Sequence, residues 1–110
     1  MLLTVIKFTV RPEQSTAWDA LRKDFAEATR AEEGNILFEW FKSLTDPHQY
    51  LLIEGYAGPE AAQAHTSSEH FGKAMAVMPD LLTSTPEIIS DQIAQDGWTT
   101  LDAGAADRSV

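Results

Sequence analysis

The side chains best suited to chemistry in this sequence are two histidines, His65 and His70, in the stretch AHTSSEHF at residues 64–71. An imidazole can exchange a proton near neutral pH and is a common metal ligand. On one continuous helix a spacing of five residues points two side chains about 140° apart, whereas zinc-binding histidines on a helix are four residues apart. No other cluster of Asp, Glu and His stands out, so the sequence predicts no metal site.

The residues between the two histidines are typical of a helix start. The run TSS offers good N-cap residues, and Thr66 with Glu69 has the spacing of a capping box. His65 is therefore expected at the junction of two helical pieces, where it can enter a pocket or simply bond to the backbone of a helix end. His70, in the first turn of the next piece, can line the pocket entrance or a subunit interface.

One acidic residue, Glu54, interrupts the apolar strand sequence YLLIEGY. A carboxylate among apolar neighbours needs a partner or a perturbed pKa. Lys7 and Lys42, both on predicted strands, are possible partners in a salt bridge. The alternative is that Glu54 positions a substrate or His65.

The register of the predicted hairpin decides which residues lie beside Glu54. A register that pairs Glu39 with Glu54 places like charges opposite each other, which is unfavourable. We therefore expect the neighbouring register, in which Trp40 lies beside Glu54.

Aromatic and sulfur-containing side chains can form the walls of a pocket for a flat ring. Trp40 and Phe38 would then form one wall, although both are equally suited to an ordinary core. Phe71 and Met75 lie on the apolar stripe of the following helix, and methionine adapts well to a planar ligand. The candidate substrate-binding residues are therefore Phe38, Trp40, His70, Phe71 and Met75.

Composition excludes several classes of protein. The chain has 110 residues, of which 44% are hydrophobic, and it has no cysteine. One domain with an apolar core is expected, without disulfides, thiolate metal sites or a cysteine nucleophile. The net charge of −9 disfavours nucleic acids and anionic membranes. With no basic leader and no apolar run of about 20 residues, a cytoplasmic location is expected.

The elements that would position these residues alternate between two periodicities. Residues 2–10, 35–43, 50–56 and 87–93 read as strands, and residues 13–33 and 59–78 as helical, with Gly34 and Pro79 as stops. The order β-α-β-β-α-β is typical of a ferredoxin-like α+β fold with a four-stranded antiparallel sheet and both helices on one face. The domain would span residues 1–98, and the small, polar residues 99–110 would form a flexible C-terminal tail.

Both faces of the predicted sheet carry apolar residues. Phe38 and Trp40 lie on one side of their strand, and Leu37 and Phe41 lie on the other. Helices on one face leave the second face uncovered, and an exposed apolar face of this size marks a partner surface. A homodimer with its two sheets face to face is therefore expected.

Five segments follow one another along the chain: EEGN at residues 32–35, FEWFKS, the Asp-Pro turn, YLLIEGY and AHTSSEHF. Together they resemble the antibiotic biosynthesis monooxygenase domain, in its small quinol-monooxygenase-like branch. The resemblance covers about residues 2–98 and implies a dimeric α/β barrel with a pocket inside each subunit.

The resemblance also implies chemistry. Some family members oxidise aromatic phenols or quinols with O2 and without metal, flavin or haem, using a dry pocket, a base and donors that hold the substrate anion. His65 and Glu54 would be the catalytic residues here. The haem-degrading branch has an asparagine on the first strand, which this chain lacks, and Met75 stands where that branch has its helix histidine. An isomerase on the same barrel, and a non-catalytic binding or stress protein, remain alternatives.

Overall fold

The structure, a computed structural model, describes residues 1–101. A short 3-10 turn at Pro12–Gln14 precedes the first helix. The named elements are β1 (Leu2–Thr9), α1 (Ser15–Arg30), β2 (Asn35–Lys42), β3 (Gln49–Tyr56), α2 (Pro59–Thr66), α3 (Glu69–Leu81) and β4 (Glu87–Gln92). Most of the predicted tail, residues 102–110, lies outside the described residues, and residues 99–101 have no regular structure. Within residues 1–101, no helix is both long and apolar enough to cross a membrane.

The four strands form one antiparallel sheet in the order β2-β3-β1-β4. The helices pack on one face, where the buried side chains of β1, β2 and β3 meet those of α1 and α3. This arrangement confirms the predicted ferredoxin-like α+β fold.

The centre of the core is aromatic. Trp18 of α1 is fully buried and lies 5.3 Å from Phe8 and 5.4 Å from Trp40, measured between ring centroids. Burial of each large apolar side chain contributes roughly 1.5–3 kcal/mol. The core therefore fixes α1 over β2, while α2 contacts the neighbouring strand β3.

The register of the β2–β3 hairpin differs from the predicted one by two residues. Phe38, not Trp40, pairs with Glu54, and Trp40 pairs with Leu52. The conformation of the loop between the two strands accounts for the difference. Ser43 Oγ accepts hydrogen bonds from the N–H groups of Thr45 and Asp46, and a second turn follows in which the Gln49 N–H donates to Asp46 O. Because the slip is even, every side chain keeps its predicted face.

Two helix ends differ from the prediction. Helix α1 ends at Arg30, and Gly34 does not adopt a positive φ. Helix α3 continues through Pro79 to Leu81 rather than stopping before the proline. Its last turn is held from outside the helix, because Leu81 O accepts the Arg11 N–H at 2.8 Å and the Leu81 side chain is buried.

The sheet face opposite the helices, here called the outer face, is apolar in its centre. Leu3, Val5 and Ile53 lie on it, and Ile93 and Trp98 from the segment after β4 border it. Ile89 of β4 pairs with Val5 and is 76% exposed. The outer face is where the predicted homodimer would form.

Candidate functional site

A cavity of about 380 Å³ lies between the helix-covered face of the sheet and the α2–α3 pair. It is within the range of small-molecule sites, about 300–1,000 Å³. Its walls are mainly apolar and come from β1, β3, β4 and all three helices. The side chains that define its shape are Phe8, Phe25, Leu52, Phe71, Met75 and Met78.

Three side chains place polar atoms on one wall of this cavity: Glu54, Tyr56 and His65. Nε2 of His65 is 4.0 Å from Oε1 of Glu54, just beyond hydrogen-bond distance. The hydroxyl of Tyr56 is buried near the Glu54 carboxyl but forms no hydrogen bond of good geometry with any described residue. The wall therefore offers polar atoms that a ligand can still engage.

The acidic groups of this wall are strongly affected by burial. Burial raises the pKa of Glu54 above its ordinary value; Tyr56 and His65 partly oppose this rise, and Glu32 adds to it. Burial and the charge of Glu54 also raise the pKa of Tyr56. Burial therefore disfavours the ionised form of both groups, and each of them, when protonated, can donate an O–H to a ligand.

Behind His65, away from the cavity, lies a cluster that the sequence did not predict. Nδ1 of His65 is 2.8 Å from Oε2 of Glu32, and Nε2 of His70 is 2.5 Å from the same oxygen. Glu32 lies in the turn between α1 and β2, more than 30 positions from either histidine. Neither Glu32 nor His70 lines the cavity, so His65 connects the cluster to the cavity.

The expectation that His65 and His70 point apart is wrong. The helix does restart between them, as predicted, with Ser68 as the N-cap residue: its Oγ accepts the N–H of Phe71 and donates to His65 O at 2.6 Å. This break changes the direction of the chain, so the 100° per residue of a continuous helix does not apply. The two ring centroids are 5.9 Å apart.

A close backbone approach allows the turn that carries Glu32 to reach His65. A Cβ atom built on Gly34 would lie 2.3 Å from Cβ of Ala61 in α2. Gly34 is therefore needed for space, and not for the positive φ that the sequence suggested.

The predicted site residues divide into two groups. Glu54, His65, Phe71 and Met75 line the cavity. Phe38 and Trp40 do not line it, because β2 is an edge strand beneath α1 and both side chains pack into the aromatic core. His70 is also absent from the cavity wall, since it turns toward Glu32.

The possible ion partners of Glu54 also differ from those expected. Lys7 pairs with Leu51 and Glu87 in the sheet, and Lys42 lies over the ring of Tyr50. Neither forms an ion pair with Glu54, whose nearest basic side chain among residues 1–101 is His65.

Sequence reasoning missed Glu32 and Tyr56. Tyr56 could have been identified from the sequence, because it shares the period-2 face of Leu52 and Glu54 on β3. Glu32 could not have been identified in this way, because nothing in the local sequence distinguishes it from the adjacent Glu33 in the same turn.

Comparison with known proteins gives consistent results. The chain is 28% identical over 86 residues to protein sll1783 of Synechocystis sp. PCC 6803, a match that covers 78% of this chain and 58% of that protein. It is 20% identical over 95 residues to YcnE of Bacillus subtilis strain 168, covering 86% of this chain and all of YcnE. This chain thus spans little more than half the length of the first relative.

Solved structures agree with the fold. The structure of Rv0793 from Mycobacterium tuberculosis superposes with a TM-score of 0.81 at 25% identity, covering 88% of this chain and 98% of that one. The model of the antibiotic biosynthesis monooxygenase family matches residues 1–77, which is well over half of the sequence. The chain therefore belongs to the antibiotic biosynthesis monooxygenase family.

Proposed function

We propose that this protein is a monooxygenase that oxidises a small aromatic phenol or quinol with O2 in the cavity between the sheet and the helices. The observation that carries the proposal is the distribution of polarity in that cavity. Its walls are mainly aromatic and aliphatic, apart from Thr4 and Thr66, whose hydroxyls are hydrogen-bonded to Ser90 and Gln63, and one side where Glu54, Tyr56 and His65 lie together. A flat ring with a hydroxyl at one end has the complementary distribution.

The polar wall is suited to hold the hydroxyl of such a substrate. When protonated, Tyr56 and Glu54 can donate to a developing phenolate oxygen, and Nε2 of His65 lies near Glu54 on the same wall. His65 would act as the base or as a further donor to the substrate anion. Donors fixed in a buried site stabilise developing charge more than they would in water.

The proposed reaction needs no external reductant. A quinol and O2 give a hydroxyquinone and water: one oxygen atom forms a new C–O bond on the ring, and the other leaves as water. The quinol supplies all four electrons, and its two hydroxyl protons and one ring hydrogen account for the hydrogens of the products. The phenolate form gives up its first electron more readily than the neutral phenol, which is why the polar wall matters.

The cavity argues against a phosphorylated substrate, which was one form of the isomerase alternative. No lysine or arginine of residues 1–101 lines it. Binding a phosphate dianion in an apolar pocket without cations carries a large desolvation cost.

The test measures O2 uptake with menadiol, corrected for autoxidation, for the wild type and for the variants His65→Ala and Tyr56→Phe. Because a positioned proton-transfer group typically contributes 10²–10⁴-fold, we expect turnover above autoxidation and a loss of roughly 10²-fold in His65→Ala. Tyr56→Phe should also lose activity and is the milder change in packing. His48→Ala, in the β2–β3 turn, is the control and should retain full activity.

Turnover no faster than autoxidation, or equal rates in His65→Ala and the control, would contradict the proposal. Binding of menadiol without turnover, seen as a rise in melting temperature, would favour the non-catalytic binding alternative.

A further inference from the structure

We propose that Glu32, His65 and His70 bind one divalent transition-metal ion of the zinc class, on the side of His65 that faces away from the cavity. The carboxylate oxygen and the two imidazole nitrogens all lie within 4.8 Å of one another. Two imidazoles and one carboxylate form a donor set that suits Zn²⁺ and also Fe²⁺. The inference goes beyond the proposed oxidation and does not depend on it.

The distances require only a small adjustment. Zinc lies about 2.1 Å from nitrogen or oxygen ligands, so two ligands of a tetrahedral ion are about 3.4 Å apart. The two nitrogens now lie 2.8 and 2.5 Å from Oε2 of Glu32, and an outward shift of less than about 1 Å would admit the ion. Glu32 can make this shift because it lies in a turn, and His70 can because its side chain is 26% exposed.

The charges around the cluster favour a cation. Oε1 of Glu32 is buried and meets no hydrogen-bond donor among the described residues. No lysine or arginine in residues 1–101 forms an ion pair with Glu32 or Glu54, whose nearest basic side chains are histidines. A buried carboxylate oxygen without a partner is costly, and a metal ion bound by both oxygens of Glu32 would satisfy it.

The other nitrogen of His65 lies near a carboxyl group, the kind of partner that a metal-bound histidine usually has. With Nδ1 on the ion, Nε2 would carry the proton, so His65 would serve the proposed oxidation as a donor and not as the base. Oε1 of Glu54 lies 4.0 Å from Nε2, and a small approach would bring the two into hydrogen-bond distance. A carboxylate behind the second nitrogen orients a metal-bound imidazole and strengthens it as a ligand.

The ion would connect three segments of the chain. Glu32 lies in the turn after α1, His65 in the last turn of α2 and His70 in the first turn of α3. An ion bound by all three stabilises the folded state by mass action. It would also hold the Nε2 side of His65 toward the cavity.

The test uses the full chain, stripped with EDTA and freed of chelator. Zn²⁺ is titrated by calorimetry into the wild type and into His70→Gln, Glu32→Gln and His48→Gln, and melting temperatures are measured with and without the ion. His48→Gln is the matched control, because it removes the third histidine of the chain, outside the cluster. Circular dichroism checks that each variant is folded.

We expect one Zn²⁺ per wild-type chain and a higher melting temperature with the ion. His70→Gln and Glu32→Gln should weaken binding at least about tenfold, the loss typical of removing even an outer-shell partner, and His48→Gln should not. Should these variants fail to fold, ¹⁵N-histidine spectra of the wild type should show Zn²⁺ shifting His65 and His70. Absence of saturable binding, equal affinity in His70→Gln and the control, or shifts of His48 alone would overturn the proposal.

Discussion

Glu54 is the buried carboxyl group of the cavity wall. It is a carboxyl group on an otherwise apolar strand, 7% exposed, with a pKa raised chiefly by burial. Its neighbours are a buried hydroxyl on Tyr56 and an imidazole nitrogen on His65. The sequence indicated that Glu54 was unusual but not which partners it would find, because those partners depend on strand register and on the position of α2.

Replacing Glu54 with glutamine should stabilise the protein at neutral and higher pH. Because its pKa is higher in the folded than in the unfolded state, ionisation costs stability, and this cost grows as pH rises from about 4.5 through the folded pKa. Below the unfolded value the cost is absent. We expect Glu54→Gln to gain about 1–3 kcal/mol of unfolding free energy at neutral pH and little at pH 4.

Urea unfolding across this pH range, with EDTA present so that no metal ion contributes, measures the gain. Glu87→Gln, an exposed carboxylate on β4, is the control and should change little. A loss of stability in Glu54→Gln at neutral pH would show that the ionised carboxylate is stabilised in the fold.

At the scale of elements, the break between α2 and α3 and the turn after α1 together create the polar cluster. The break was predictable, because serine and threonine beside a period change mark a helix start. Its consequence was not predictable, because the angle between α2 and α3 depends on packing against the sheet. The meeting of Glu32 with two histidines more than 30 positions away is likewise a tertiary effect.

Replacing Gly34 with alanine tests how the turn and α2 are held together. The new Cβ would lie 2.3 Å from Cβ of Ala61, so one of the two segments must move. Overpacking of this kind typically costs about 1–3 kcal/mol, and we expect that loss in the free energy of unfolding by urea.

Gly72→Ala in α3 is the matched control, since a Cβ there meets no atom within 4 Å. It should be neutral or stabilising by up to about 1 kcal/mol, because alanine is the better helix former. Equal stability of the two variants would show that Gly34 is not needed for close approach.

The strands, helices and fold class followed from periodicity alone, and their faces were right even where the register was not. Strand alternation has a period of two, so the two-residue error at the β2–β3 turn left Phe38 and Trp40 on the helix-covered face. The prediction that Phe38 and Trp40 line the cavity was wrong, because both lie on the part of that face that packs into the core. Whether an inward side chain meets core or cavity depends on which helix lies above it, and α1 covers β2.

At the scale of the whole molecule, the outer face predicts association. Leu3, Val5 and Ile53 form its centre, and Ile89 is largely exposed beside them. We expect sedimentation of the wild type as a dimer at micromolar concentration. Ile89→Asp should shift it to a monomer, because a charge within an apolar interface is costly to bury.

The exposure of Ile89 makes this variant informative, since the single chain does not need that side chain for its core. Leu44→Asp, fully exposed in the β2–β3 loop, is the control and should remain dimeric. A monomeric wild type, or an Ile89→Asp dimer as stable as the wild type, would show that the outer face is not the interface.

The most direct test of the account is where an aromatic hydroxyl compound binds. A crystal structure of the protein with 1-naphthol should show the rings among Leu52, Phe71 and Met78, with the hydroxyl oxygen within hydrogen-bond distance of Glu54, Tyr56 or His65. Naphthol in the surface groove beside Arg11 and Pro79, which has a similar volume of about 400 Å³, would contradict the account. So would an empty cavity in crystals that bind the compound elsewhere.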